Sequence, residues 1–131
     1  MALPDRLDET SFAYLDITSQ DSWKGTWTVV FGSLTVVGAT NYVGRYHVEG
    51  KVIRFQVRFS AATSIASTAG TDYLNLPIAA KGLGGMATMT NATTNISVGV
   101  GHIDATNARC YLPTQGASGD TFILAGWYEI G

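Results

Sequence analysis

The side chains able to do chemistry are few: His47, His102, Asp104 and Cys110 in a chain of 131 residues. His102 and Asp104 stand two apart, so a strand presents both on one face. A nucleophile or a metal partner would have to join them, and spacing cannot place His47 beside them. Cys110 falls in the run Ala108–Leu112 and reads as a small buried side chain rather than a reactive thiol. The acids are scattered, so no carboxylate pair of the kind that cleaves glycosides can be argued. No phosphate-binding glycine loop and no zinc-ligand spacing occurs. The expectation is a protein that is not an enzyme and uses no cofactor or metal, with His102 and Asp104 as a surface pair. Two glycosylation sequons, Asn91-Ala92-Thr93 and Asn95-Ile96-Ser97, are expected to be chance matches. The amino terminus Met1-Ala2-Leu3-Pro4-Asp5 has neither the basic start nor the apolar core of a secretory signal.

Side chains suited to binding are more numerous. Trp27 and Trp127 fall in alternating strands and are expected in the core or at an oligomer axis, whereas Trp23 is freer to meet a partner. Arg45, Arg54 and Arg58 cluster within fourteen residues of sequence. The whole chain has eight bases and ten acids, a net charge of −2, which excludes a general nucleic-acid binder. Apolar runs stop well short of the ~20 residues of a membrane span. The charge is unevenly placed. Residues 1–24 hold five acids against two bases, a net of −3, and the remainder holds five acids against six bases, a net of +1.

These residues must be positioned by strands. Only 14% of residues are charged, helix formers are sparse, and no segment keeps a 3.6-residue apolar period. From Gly25 onward, turn signals recur every 8–12 residues or so, as in a sandwich or barrel. About eight strands are expected: Gly25–Phe31, Asn41–Glu49, Lys51–Ser60, Asp72–Leu76, Met86–Thr90, Asn95–Ile103, Arg109–Leu112 and Thr121–Tyr128. The Ser/Thr/Ala/Gly-rich stretch Ala61–Thr71 reads as a loop. One segment alternates cleanly, with Ile53, Phe55, Val57 and Phe59 on one face and Arg54, Gln56, Arg58 and Ser60 on the other. The fold class is all-β, an antiparallel sandwich over residues 25–131, preceded by an extended arm over residues 1–24. The arm carries aromatic anchors at Phe12 and Tyr14, with Trp23 at its junction with the body. It is expected to dock on a partner rather than to complete the fold.

The hairpin at Gly50 carries a register expectation. If opposed residue numbers sum to 99, through a loop of two or preferably four residues, Tyr46 faces Ile53, Gly44 faces Phe55 and Tyr42 faces Val57. Arg45 then lies directly opposite Arg54 on the other face, with Arg58 further along. Like charges so placed call for an acidic partner, from the arm or from another protein. Val43, Val52, Phe122, Leu124 and Tyr128 are expected on second strand faces, where a monomer would leave them exposed.

Several motifs resemble one family. Asn41-Tyr42-Val43-Gly44-Arg45-Tyr46-His47-Val48-Glu49-Gly50-Lys51-Val52 resembles the G-x-Y-x-x-x-G-x-x-V hairpin of bacteriophage tail-fibre, head-fibre and knob jelly rolls. Gly25-Thr26-Trp27-Thr28 resembles their opening strand, and Leu74-Asn75-Leu76-Pro77 their segment after the long loop. Ser118-Gly119-Asp120-Thr121, running on to Gly126-Trp127-Tyr128, resembles their last strand. The resemblance spans residues 25–128 and implies a jelly-roll homotrimer on a virion, made in the bacterial cytoplasm. Its implied partners are copies of itself and a major capsid protein, tail proteins or a host glycan. It carries over no catalytic residue. Two functions follow: a decoration or cement protein on the head, or a receptor-binding fibre tip. An acidic opening segment in place of a heptad stalk favours cement. Arg45, Arg54, Arg58, Phe12, Tyr14 and Trp23 are the expected interface residues.

Overall fold

A computed structural model describes residue 23 and residues 25–79, 84–104 and 106–130. Twelve strands and no helix lie among them: β1 (Gly25–Thr26), β2 (Phe31–Gly32), β3 (Thr35–Val37), β4 (Thr40–Glu49), β5 (Val52–Ala61), β6 (Ser64–Ser67), β7 (Tyr73–Asn75), β8 (Gly85–Asn91), β9 (Ile96–Asp104), β10 (Arg109–Tyr111), β11 (Gln115–Ser118) and β12 (Phe122–Glu129). All pairings are antiparallel. The long sheet runs β1-β4-β5-β12-β8-β9-β10-β7-β2, and β11-β6-β3 forms a small second sheet.

The long sheet curls because two segments change sides. Residues 96–101 of β9 pair with β8, while His102, Ile103 and Asp104 pair with β10. A bulge between Ser97 and Gly99 bends the strand on the way. At the other end the chain leaves β1 beside β4 and reaches β2 beside β7. Asn75 holds this crossing segment: its side chain accepts from Val30 N at 2.7 Å and donates to Thr28 O at 3.1 Å, and its carbonyl accepts from Trp27 Nε1 at 3.2 Å. Gly25–Phe31 is therefore two short strands and a link rather than the single strand expected. Trp27, Val29 and Phe31 still face the core together.

The core lies between the layers. Ile53, Phe55, Val57 and Phe59 come from β5, and Phe122, Leu124 and Tyr128 from β12. Ala87, Met89, Leu74, Ile103, Cys110 and Ile65 supply the rest. The β1-β4-β5-β12-β8 half of the long sheet is the first layer and its β10-β7-β2 end belongs to the second; the Phe31 ring of the second packs 5.7 Å from Phe59 and 6.0 Å from Tyr42 of the first. Each fully buried large side chain of this kind stabilises the fold by roughly 1.5–3 kcal/mol. Gly126 lets β12 approach β8: a Cβ there would meet the Met86 carbonyl oxygen at 2.2 Å and Ala87 Cα at 2.7 Å.

Three expectations need correction. Phe122, Leu124 and Tyr128 are buried rather than outward. The run Phe122-Ile123-Leu124-Ala125 is apolar at both parities, so sequence could not say which half faces in. Three strands were missed, among them Ser64–Ser67 inside the stretch read as a loop. The register sum is 101 rather than 99, with Tyr46 opposite Phe55, Gly44 opposite Val57 and Tyr42 opposite Phe59. The turn is the two residues Gly50 and Lys51, with Gly50 at φ +63°, the position a type II′ hairpin reserves for glycine. A slip of two keeps every side chain on its face, so the tyrosines still turn inward.

Candidate functional site

The outer face of the first layer brings the arginines together. Arg45 lies opposite Gln56, and Gln56 sits between Arg54 and Arg58 on β5. The arginines are diagonal neighbours rather than an opposed pair, and the Arg45 guanidinium donates to Gln56 Oε1. The charge clash that the sum of 99 implied is absent. Arg54 faces His47 and pairs with Glu49 at 3.4 Å, with both side chains more than half exposed. Such a pair contributes at most about 1 kcal/mol. Arg58 forms no hydrogen bond or ion pair among the described residues, and it edges a shallow groove of about 190 Å³ with Asn41, Val43, Ser60 and Thr121. Trp23 lies on the same face, its ring 5.0 Å from the Arg45 guanidinium carbon, so a cation–π contact occupies one ring face. Phe12, Tyr14 and the acids of the first 22 residues lie outside the described residues.

Beside the arginines the face carries apolar side chains set among threonines and a serine. Strand register builds three rows across it: Val43-Arg58-Ile123-Thr90-Ser97, Arg45-Gln56-Ala125-Thr88-Val100 and His47-Arg54-Trp127-Met86. Val43 and Met86 are each 53% exposed, Val100 67% and Trp127 38%. Trp127 thus lies on the outer surface, while Trp27 packs edge-on against Tyr46 and Phe55 at the core.

Around the corner formed by β9, the second layer carries an outward aromatic row. His102 pairs with Tyr111, and Tyr111 with Tyr73, across three strands. The Tyr73 and Tyr111 ring centroids are 5.6 Å apart, and those of Tyr111 and His102 are 6.3 Å apart. The Arg109 guanidinium carbon sits 4.2 Å above the Tyr73 ring. Its Nη1 donates weakly to the Tyr111 hydroxyl at 3.5 Å, which raises the Arg109 pKa further above its ordinary value. Asp104 lies opposite Arg109, but its two oxygens accept from the Asn107 side chain at 2.9 Å and backbone N–H at 3.2 Å. Those two bonds, ahead of the Arg109 charge, hold its carboxyl below the usual carboxylate range.

Sequence reasoning singled out only His102 and Asp104 here. The signal for the others was available. Leu74 and Leu76 inward puts Tyr73 outward, and Cys110 and Leu112 inward puts Arg109 and Tyr111 outward.

Cys110 is fully buried, and burial pushes its thiol up to about 12, so it stays protonated at neutral pH and is a poor nucleophile. Among the described residues no group of three or more His, Cys, Asp or Glu could hold a metal ion. The first sequon is spent on structure: Asn91 is buried, its Nδ2 donates to Asp120 at 2.8 Å, and its Oδ1 accepts from Thr93 N and Thr94 N. Comparison with known proteins returns no match: no family model, no curated protein and no solved structure matches the chain.

Proposed function

We propose that this chain is a structural protein of a bacteriophage virion, a jelly-roll knob that assembles as a homotrimer and decorates the head by binding the major capsid protein. The observation that carries the reading is the outer face of β4, β5, β12, β8 and the first half of β9. Val43, Ile123, Trp127, Met86 and Val100 lie in register there beside Arg45, Arg54 and Arg58. Contiguous exposed apolar surface on a small domain marks an interaction site. Tryptophan, methionine and arginine are also the residues enriched at protein–protein contacts. The hairpin, opening-strand and last-strand motifs support the phage assignment, and the acidic net charge of residues 1–24 complements the arginine group.

A second reading, a tail-fibre tip that recognises a host surface glycan, is favoured by the outward row of Tyr73, Tyr111 and His102. Labelled antibody against the protein on purified virions tests both. Label on the head supports decoration, label at the tail tip supports the second reading, and bare virions overturn both.

A further inference from the structure

We propose, resting on the second reading above, that the outer face of β7, β10 and β9 is a binding site for a carboxylate-bearing sugar, with Tyr111 and His102 as the stacking pair and Arg109, seated on the Tyr73 ring, as the carboxylate grip. The inner faces of these strands already supply the core through Leu74, Cys110 and Ile103. The aromatic rings on the outer face add nothing to that core, yet they are aligned across three strands in register. The Tyr73 ring has a built seat. A Cβ on Gly32 would come within 2.2 Å of it, so the ring lies in space that only glycine leaves open.

Arg109 is held by aromatic stacking rather than by a counter-ion. The one ion pair among the described residues is Arg54 with Glu49. The nearest acid across the ladder, Asp104, has its oxygens engaged by Asn107. Of its five guanidinium donors only one has a contact among the described residues, the long one to the Tyr111 hydroxyl. A planar fork oriented on a ring and otherwise unpaired suits bidentate capture of a carboxylate.

Next to it, a groove of about 390 Å³ lies between Ala69 and Gly70 on one side and Val100, His102 and Tyr111 on the other. That volume is in the range of small-ligand sites. A pyranose has one face rich in C–H groups, which suits the electron-rich face of a tyrosine, and hydroxyls that the Tyr111 hydroxyl and the His102 ring can meet. Nucleic acid fits less well, because tight phosphate-backbone binding needs several cations and Arg109 is the only one in the row.

The test is saturation-transfer NMR on the whole chain with the methyl glycosides of glucuronic, galacturonic and N-acetylneuraminic acids. Methyl glucoside and inorganic phosphate serve as controls. At least one acidic sugar should receive saturation at its ring protons and bind at least tenfold more tightly than methyl glucoside. Arg109→Gln should erase that preference, and Tyr111→Ala should abolish binding of both sugars, each with an unchanged far-ultraviolet spectrum. Three results would each overturn the site: no saturation of any acidic sugar, an acid preference that survives Arg109→Gln, or equal displacement by phosphate that marks a bare anion site. So would a Tyr111→Ala variant that changes only the oligomer mass, since the row would then be a protein contact. Light scattering on the same samples reads self-association separately, so this proposal and the knob reading can fail independently.

Discussion

Removing one oxygen, in Tyr128→Phe, probes the packing of the two layers and its pH dependence at once. The Tyr128 hydroxyl is buried, donates to Ile78 O at 2.8 Å and accepts from Ile78 N at 3.1 Å. The phenylalanine leaves both backbone groups without that partner, at about 2 kcal/mol for half-buried polar groups. For 131 residues this lowers the melting temperature by about 7 °C at fixed protein concentration. The pH dependence has a defined sign. Burial raises the Tyr128 pKa from 10.0 to about 12, with the bond from Ile78 N opposing the shift. Below pH 10 the phenol is neutral in both folded and unfolded chains, and its contribution is complete. Between pH 10 and about 12 the unfolded chain loses the proton first, so stability falls as pH rises. Two units correspond to roughly 2.7 kcal/mol. Cys110, raised to about 12 by burial, adds to the alkaline loss in both proteins and cancels in the difference. Urea midpoints by tryptophan fluorescence from pH 8 to 12 should show the wild type ahead at pH 8 and the gap closed or reversed by pH 12. A gap that stays constant across that range would refute the buried, doubly bonded hydroxyl.

Other expectations follow from single contacts. Gly126→Ala drives a Cβ into the Met86 carbonyl and should cost at least the roughly 1–3 kcal/mol of an overpacked core, measured as a shift in urea midpoint. Gly50→Ala meets no atom within 4 Å but must hold φ +63°; it should cost about 1 kcal/mol, and Gly50→Asn less. The Cys110 thiol should resist iodoacetamide at pH 8 in the native protein and react fully in urea, by mass spectrometry. An Arg45/Arg54 double alanine variant should keep its β spectrum, because the Arg54–Glu49 pair is exposed, yet lose oligomer or virion attachment, as should wild type in high salt. Attachment unchanged in that variant would remove the arginine face from the account.

What sequence made legible was decided by how strongly each segment alternates. β5 was readable because Ile53, Phe55, Val57 and Phe59 sit between polar residues, and its face assignment survived the two-residue error in register. That error came from treating Glu49 as part of the turn, when Gly50 and Lys51 make a turn of their own. β3, β6 and β11 were missed because each is only three or four residues long, too short to show alternation, and pairing with one another holds them as strands. The crossing at Trp27–Val30 depends on Asn75, which lies 45 to 48 residues away in sequence. The arginine group was visible as a cluster, but its diagonal placement around Gln56 needed the true register. The aromatic row was implied by alternation in two short strands, and only their pairing across β9 shows that it is continuous.

In the proposed trimer, the arginine-edged apolar face is where copies of this chain meet. Light scattering on the purified protein at micromolar concentration tests it directly. The wild type should have a mass near three times 13.9 kDa, and Trp127→Glu, whose side chain lies on that face and outside the core, should shift it to the monomer mass. A wild-type mass of one chain, or a trimer indifferent to that substitution, would contradict it.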